Sequence, residues 1–418
     1  MPSIARKNLL EDIPRFITAQ AGIMFAVSLI TIQLGILKGF SRSTAIVVDQ
    51  SRAELWVGSK EMVNFELTSP LPAEYINIAS KTEGVDRAEI LLLRAGRWRA
   101  PNGKLSPTRI FGFNPEGELF VNHRFSSQAL QRLKSEPYSA IIADAAQRSL
   151  DAEINATPSG TIGGLPVQVF DTLPDAQSNA SSPFIFTNLE TANAYGSAEV
   201  NSSVNCVRQP NGDLNCTNTF KNKPWGQKVG ELKPPAALTL GDPITYILIR
   251  SQPGTDLEAL RQRLTQALPD TQVLTKTELA AITRNYWEAR TGVGFILGLG
   301  AAVGCIVGMV VVGQILYASV ADHLREFGTL KAMGAPNRLI YGIIIEQGLW
   351  MAIIGYIPSM ILCLSLSQWT QVTRGIMILI EPTTAILVFG LTLFMCVGSA
   401  LVAVQKVTRV DPAIVFKA

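Results

Sequence analysis

The stretch that decides the fold is TGVGFILGLGAAVGCIVGMVVVGQILYAS, residues 291–319, which contains no acidic or basic side chain. At about 1.5 Å per residue, a helix of this length exceeds the roughly 30 Å of a bilayer's hydrocarbon core. Three further blocks resemble it: 16–37 and 384–404 carry no charge, and 339–366 carries one acid, Glu346. The sequence therefore predicts four membrane-spanning helices.

The first block also has the position of a secretory signal peptide. Its apolar run is longer than the usual 7–15 residues, and Lys38-Gly39-Phe40 follows where a small-residue cleavage site would be needed. We therefore interpret it as a permanent span. The formal net charge of the whole chain is only +3, which gives no indication of a nucleic-acid partner.

Basic residues near the spans predict the orientation of the chain, because short cytoplasmic segments are enriched in lysine and arginine. The N-terminal tail, the link between the second and third spans and the C-terminal tail each carry three, whereas the link between the third and fourth spans carries only Arg374. Both termini are thus predicted to be cytoplasmic. The predicted domain organisation has three parts. Residues 1–40 hold a cytoplasmic N-terminal amphipathic segment and the first span, 41–290 lie outside the cytoplasm, and 291–418 hold the other three spans, a cytoplasmic helix at 321–335 and the C-terminal tail.

The segment 41–290 is predicted to be an α+β domain. Strand patterns occur at 53–58, 90–93, 110–113 and 244–249, and amphipathic helix patterns at 71–82 and 256–268. Residues 41–52 and 275–290 have helical character running directly into the spans, so we expect a two-helix stalk. A stretch rich in Ser, Asn, Pro and Gly, at about 175–235, is predicted to be a loop-like insertion.

Two cysteines lie in this insertion, in Cys206-Val-Arg-Gln-Pro-Asn-Gly-Asp-Leu-Asn-Cys216. The Asn211-Gly212 pair between them is typical of a turn. The pattern favours a short loop closed by a disulfide, which would require an oxidising compartment. Two free thiols in a flexible segment are the alternative.

Within the spans, Gly300, Gly304 and Gly308 recur every fourth residue and form a stripe that lets helix backbones approach closely. This stripe could pack within the subunit or across a dimer, or reflect only the general abundance of glycine in membrane helices. Glu346 is a candidate functional acid because carboxylates inside spans are costly. A conformational or packing role and snorkelling to the headgroups both remain open for it.

The sequence contains none of the common catalytic or nucleotide-binding motifs. Gly103-Lys104 is followed by Leu105, not Ser or Thr, so it is no phosphate-binding loop, and there is neither a Gly-x-Ser-x-Gly nor a His-Glu-x-x-His sequence. The only histidines, His123 and His323, are far apart in the chain. We therefore expect a non-enzymatic chain that binds no metal or cofactor of its own.

The most informative cytoplasmic stretch is ADHLREFGTLKAMGAPNR, residues 321–338. Leu324, Phe327 and Leu330 fall on one helical face, and Gly334 followed by Pro336 predicts the helix end. A short helix held between two spans could act as a rigid lever. An amphipathic loop lying on the lipid surface is the alternative.

Residues 325–335, Arg-Glu-Phe-Gly-Thr-Leu-Lys-Ala-Met-Gly-Ala, resemble the Arg-Glu-Ile-Gly-(Thr/Ile)-Leu-(Arg/Lys)-Ala-(Leu/Met)-Gly-Ala signature of FtsX/MacB-type ABC-transporter permeases. Phe327 replaces the commoner isoleucine. The segment 409–413, Arg-Val-Asp-Pro-Ala, is similar to the closing motif of that family. Motifs in the N-terminal half, including 55–60 and 69–72, resemble the DevC permeases of cyanobacteria, although the cysteine-containing insertion departs from that pattern.

This resemblance implies a four-span permease subunit in the bacterial inner membrane, working as a homodimer among membrane lipids. A separate cytoplasmic ABC ATPase dimer would bind ATP and magnesium. A periplasmic membrane-fusion adaptor and a TolC-type outer-membrane channel would complete an exporter of a lipid-like or other envelope substrate, and the DevC resemblance suggests a glycolipid. Relatives that regulate a cell-wall hydrolase or extract lipoproteins share the same plan. The residues implied in ATPase coupling are Arg325, Glu326, Phe327, Gly328, Leu330, Lys331 and Gly334.

Overall fold

The computed structural model describes residues 13–198, 202–208, 214–220, 234–374 and 377–408. The predicted N-terminal segment before residue 13 and the closing motif 409–413 lie outside them. The helices are α1 Ile13–Thr44, α2 Ile46–Asp49, α3 Tyr75–Lys81, α4 Ser127–Ser135, α5 Ala146–Leu150, α6 Leu189–Ala198, α7 Leu257–Ala267, α8 Lys276–Thr291, α9 Val293–Asp322, α10 Leu324–Ala332, α11 Asn337–Arg374 and α12 Pro382–Thr408.

The strands are β1 Leu55–Ser59, β2 Leu71–Pro72, β3 Val85–Arg99, β4 Leu105–Phe113, β5 Ser139–Ala143, β6 Gly160–Ile162, β7 Leu165–Leu173, β8 Phe184–Asn188, β9 Ser202–Arg208, β10 Leu214–Phe220, β11 Pro243–Ile244, β12 Tyr246–Ser251 and β13 Thr271–Thr275. The chain divides into two compact units: Met1–Phe40 with Thr291–Ala418, called the helical unit, and Ser41–Arg290, called the α+β unit.

Among its described residues, the helical unit contains four helices that are long and apolar enough to cross a membrane, which confirms the predicted number of spans. The apolar segments are Phe16–Thr44, Val293–Asp322, Arg338–Gln371 and Pro382–Ala403. All four contribute to one buried cluster, for example through Ile23, Leu316, Ile344 and Met395. Their remaining apolar surface is exposed, as expected for side chains that face lipid or another helix.

The α+β unit is built on a nine-stranded sheet in the order β13-β1-β12-β3-β4-β8-β5-β7-β6. The strands β13, β1, β12 and β3 pair antiparallel, and α3 and α7 each connect two strands that flank a third. This is the split βαβ arrangement of ferredoxin-like domains. At the other side of the sheet, β6 pairs back with β3, which closes six strands into a ring.

Aromatic side chains of the sheet and its connections form one buried cluster. Trp56 of β1 packs edge-on against Phe65 and Tyr246, with ring centroids 5.8 and 5.6 Å away. Phe65 also stacks on Phe111 of β4, whose ring contacts Phe186 of β8. Because these rings come from distant parts of the sequence and are almost fully buried, they tie the ferredoxin-like part to the ring of strands.

The structure corrects the prediction for 175–235. Residues 184–188 form β8, an entirely buried strand between β4 and β5, and α6 follows at once with Tyr195 fully buried. A composition averaged over the whole stretch conceals the short apolar run Phe184-Ile185-Phe186. Only the later part contains the separate hairpin of β9 and β10.

Two helix predictions are also corrected. The segment 71–82 begins as the short strand β2, paired with β11, and becomes helical only at Tyr75, because Pro72 interrupts the helical pattern. Helical character does not run unbroken into the second span. Gly292 has φ +63, a left-handed conformation that glycine adopts without strain, and it separates α8 from α9.

Candidate coupling site

The helix α10 is the predicted cytoplasmic lever, and its two ends are well defined. Its start follows α9 directly, with the Phe327 N–H donating to the carbonyl oxygen of His323 at 3.1 Å. At its end Gly334 has φ +89 and donates to the Lys331 oxygen at 3.0 Å, while Ala335 donates to the Leu330 oxygen at 2.9 Å. These two bonds form the Schellman motif, so the predicted stop at Gly334 is confirmed.

The helix presents two different faces. Phe327 is only 2% exposed and belongs to the buried cluster of the helical unit, and Leu330 packs against the same cluster. Gly328 is also buried. On the opposite side Glu326 is exposed, and the side chain of Met333, just past the helix, is 71% exposed. The lever is therefore anchored on one side and available to a partner on the other.

The structure says less about two further residues predicted for coupling, Lys331 and Arg325. Lys331 is half-buried near the end of the helix. Arg325 lies within α10, but its side chain is outside the described part of the structure. A rigid connection to the spans follows from the geometry, because α10 is joined to α9 through His323 alone and to α11 through the four residues 333–336.

The glycine stripe of α9 faces α1 of the same chain. A Cβ at Gly300 would lie 2.7 Å from the Gln33 amide, and one at Gly304 would lie 3.2 Å from both Leu29 and Ile30. Gly308 has Ala26 and Met395 as its neighbours. Of the alternatives left open by the sequence, the geometry corresponds to packing within the subunit.

Glu346 is half-buried on α11, a few turns after the start of that helix at Asn337. The next residue, Gln347, is 1% exposed and belongs to the buried side of the helix. Glu346 therefore lies in the part of α11 that is nearest to α10 in the sequence. It leaves both the packing role and the snorkelling role of the carboxylate as predictions.

Cys206 and Cys216 lie on β9 and β10, and the antiparallel register pairs them directly opposite each other. Residues opposite one another in such a ladder have Cα atoms about 4.5–5.5 Å apart, within the range that a disulfide requires. The side chains themselves lie outside the described part of the structure. The disulfide therefore stays a prediction, now supported by the register.

Charged residues of the α+β unit form ion-pair networks. Arg250 contacts Asp86 at 2.7 Å and Glu118 at 2.8 Å, and Arg87 contacts Glu89 at 2.6 Å. The hydrogen bond from Arg250, aided by the charge of Arg87, holds the pKa of Glu118 below its usual value. Each of these carboxylates is thus paired with an arginine.

Two features of this unit were missed from the sequence. The Glu66 carboxylate is 3% exposed and accepts hydrogen bonds from Arg109 at 3.0 Å and Ser181 at 2.5 Å. Asp242 accepts from the backbone N–H and the hydroxyl of Thr239, which lowers its pKa. Both carboxylates fix loops in place. No local sequence pattern indicates such contacts, because the partners are distant or lie in irregular segments.

No group of three or more His, Cys, Asp or Glu residues that could hold a metal ion occurs within the described ranges. The candidate site in the described structure is α10, which packs through Phe327 on one face and exposes Glu326 on the other.

The C-terminal part of the chain is similar to known proteins. Residues 298–412 match the family model described as FtsX-like permease C-terminal. An uncharacterized ABC transporter permease of Methanocaldococcus jannaschii is 26% identical over 129 residues, 29% of this chain and 32% of that protein. One of Mycobacterium tuberculosis is 30% identical over 114 residues, 27% of this chain and 31% of that protein. The alignments thus span about a third of the length of these relatives.

Two solved structures align with the chain at low similarity. The periplasmic region of MacB from Actinobacillus actinomycetemcomitans gives a TM-score of 0.32 at 10% identity, over 57% of this chain and 96% of that chain. The extracellular domain of the noncanonic ABC-type transporter YknZ from Gram-positive bacteria gives 0.31 at 12% identity, over 53% of this chain and 99% of that chain.

Four apolar helices and a separate α+β unit define a multi-pass membrane protein. The match of residues 298–412 to the FtsX-like permease C-terminal model confirms the broader resemblance seen in the signature around α10. The narrower resemblance to DevC permeases stays an expectation from sequence.

Proposed function

We propose that this chain is the permease subunit of an ABC exporter of the mechanotransmission type, in the bacterial inner membrane with both termini in the cytoplasm. The observation that supports this proposal is the packing of α10. Phe327 fixes this helix to the buried cluster, and Glu326 and Met333 are exposed on the other side. A partner that pushes on the exposed face would displace the anchored spans as well, because packed helices move as rigid elements.

The energy for this movement would come from a partner, a cytoplasmic ABC ATPase dimer that binds ATP and magnesium. On the far side of the membrane, the α+β unit would pass the movement to a periplasmic membrane-fusion adaptor and a TolC-type channel. The substrate class we propose is lipid-like, with glycolipid suggested by the DevC resemblance. The chain itself would remain non-catalytic.

We also propose a homodimer embedded in lipid. The exposed side of α9 supports this, since Phe295, Leu299 and Ile306 are each more than half exposed and lie on one apolar face. An apolar surface of this length needs either lipid chains or another helix as a neighbour. Cross-linking between subunits through cysteines placed at these positions would distinguish a second copy from lipid.

The partners are tested by purifying the tagged chain from native membranes in mild detergent and identifying bound proteins by mass spectrometry. Recovery of an ABC ATPase, an adaptor and an outer-membrane channel is the expected result. An ATPase together with a cell-wall hydrolase would replace export by regulation, and one with a lipoprotein chaperone would replace it by lipoprotein extraction. Absence of any ATPase would contradict the proposal itself.

The role of α10 is tested by charge reversal on its exposed face. Glu326→Lys should reduce permease-stimulated ATP hydrolysis by roughly tenfold while the protein remains folded, because only a surface contact is changed. Glu83→Lys, at a 90% exposed side chain of the α+β unit, is the matched control and should leave the rate unchanged. Gly328→Trp should also uncouple the complex, but through packing, since Gly328 is buried. Equal rates for Glu326→Lys and the wild type would remove α10 as the contact.

A further inference from the structure

Several segments of the α+β unit meet beside the end of α2. The Arg52 N–H donates to the carbonyl oxygen of Leu119 at 2.8 Å, which brings the stretch 119–124 alongside. The Lys276 ammonium, at the start of α8, donates to the carbonyl oxygen of Ser51 at 3.2 Å. These contacts bring basic residues from distant parts of the sequence close together.

Arg124 adds a further positive charge to this place. It ends a single helical turn, Asn122–Arg124, and its guanidinium donates to the carbonyl oxygen of Pro174, just after β7, at 2.8 Å. Arg124 is half-buried, whereas His123 in the same turn is exposed. We call these four side chains the basic cluster; its members are Arg52, His123, Arg124 and Lys276.

The basic cluster lacks neutralising carboxylates among the described residues. Neither its arginines nor its lysine forms an ion pair there. Other arginines of the unit do, since Arg87, Arg109 and Arg250 each contact a carboxylate at 3.0 Å or less. Glu118, the carboxylate on which the charge of Arg52 acts, is already held by two of these arginines. The positive charge of the cluster is therefore left uncompensated.

His123 responds to this charge. Burial, and then the positive charges of the three other members, lower the pKa of His123 below its ordinary value. Charges act on an imidazole in this way only at short range. None of the described carboxylates raises this pKa in return, and that includes Asp175, which is exposed next to Pro174. Three cations from separate segments thus surround one imidazole.

We propose that the basic cluster binds a phosphate group, carried by a phospholipid headgroup or present as inorganic phosphate. The guanidinium groups of Arg52 and Arg124 offer paired N–H donors that suit phosphate oxygens, and Lys276 adds a compact charge. The charge is concentrated around one imidazole instead of being spread along a face, which suits a small anion better than an acidic protein surface. The proposal depends neither on a partner ATPase nor on export.

The test uses the only two histidines of the chain, His123 and His323, as probes. The full chain, with carbon-13-labelled histidine and in an uncharged detergent, is titrated with acid and base by NMR, with inorganic phosphate or with sodium chloride at equal ionic strength. A bound anion offsets the repulsion between the cations and the imidazolium, so phosphate should raise the pH midpoint of the His123 signal by about one pH unit. The His323 signal is the internal control and should not move, and His123→Asn assigns the two signals.

A water-soluble phospholipid distinguishes the two sources of phosphate. Dihexanoylphosphatidylglycerol carries the headgroup phosphate, and dihexanoylglycerol, which lacks it, is the control. Whichever of this phospholipid and inorganic phosphate raises the His123 midpoint at the lower concentration identifies the source. A rise with polyglutamate alone would assign the cluster to an acidic protein and overturn the proposal. An equal midpoint in phosphate, phospholipid and chloride would overturn it as well.

Arg52 offers the clearest variant, because its exposed side chain makes no hydrogen bond or ion pair with another described residue. Arg52→Gln should weaken phosphate binding roughly tenfold, and Arg52→Lys, which keeps the charge, should weaken it less. Lys104→Gln, at an exposed lysine of the same unit, is the matched control and should bind like the wild type. Equal affinity of Arg52→Gln and the wild type would refute the site. No ATPase is present in these measurements, so their outcome stands even if the proposed function fails.

Discussion

Gly308 lies where three helices of the helical unit meet. A Cβ at this position would be 2.8 Å from the Ala26 methyl group of α1 and would overlap the thioether of Met395 on α12. Gly298, on the same helix α9, has open space around the corresponding position. The two glycines therefore share a backbone environment and differ in what surrounds them, which makes them a matched pair.

We predict that Gly308→Val destabilises the helical unit by about 1–3 kcal/mol, the usual cost of overpacking a tight contact. Gly298→Val should change the stability little. Thermal unfolding of the purified protein in detergent measures both. Equal midpoints for the two variants would show that the stripe does not pack as the structure describes.

At the level of single residues, the sequence predicted the features that depend on near neighbours. The spacing of Phe327 and Leu330 placed both on the buried face of α10, and Gly334 marked its end, because helical periodicity and capping are local. The side chains that meet Gly308 could not be predicted. They come from α1 and α12, and no local rule specifies which helices of a bundle become neighbours.

Among the helices and strands, those that depend on the local sequence were predicted, whereas pairings between distant segments were missed. The four spans follow from long apolar runs with at most one charge, and α7 follows from its helical period. The structure adds that Asp256 caps α7, because its carboxylate accepts from the Glu258 N–H. The closure of six strands through the β3–β6 pairing was missed. Strand partners far apart in sequence are chosen by register and burial across the whole sheet, which the pattern of one strand does not encode.

The hairpin of β9 and β10 is a two-stranded sheet, and such a hairpin is only marginally stable in water without additional support. A Cys206–Cys216 disulfide would stabilise it by about 2–3 kcal/mol, the chain-entropy value for a loop of this size. We predict that neither cysteine reacts with iodoacetamide in unreduced protein from the cell envelope, and that both react after reduction, as read by mass spectrometry.

The outcome of this labelling also reports on the compartment. If the disulfide is absent in cells but forms in the purified protein with oxidised glutathione, the pairing is correct and the predicted extracytoplasmic location is wrong. If it forms in neither condition, the pairing is wrong. The labelling is done after denaturation, so that Cys363 and Cys396, which are free thiols buried on the spans of the native protein, serve as internal standards for reactive thiols.

For the whole molecule, hydropathy and composition predicted a division at residues 40 and 290, and the compact units have the same boundaries. This agreement has a physical cause. A chain that is partly in lipid and partly in water needs two kinds of surface, so its amino-acid composition changes at the boundary between the two units. The orientation of the units across the membrane rests only on the distribution of basic residues, and it decides on which side an ATPase could reach α10.

We therefore predict that a cysteine replacing Met333, 71% exposed beside α10, is protected from a membrane-impermeant maleimide in intact spheroplasts and reacts after permeabilisation. A cysteine replacing Leu105, 56% exposed in the α+β unit, should react in both conditions. Both variants are made in a chain without native cysteines. If Met333→Cys is labelled from outside and Leu105→Cys is protected, the positive-inside argument fails here and α10 cannot be the contact for a cytoplasmic ATPase.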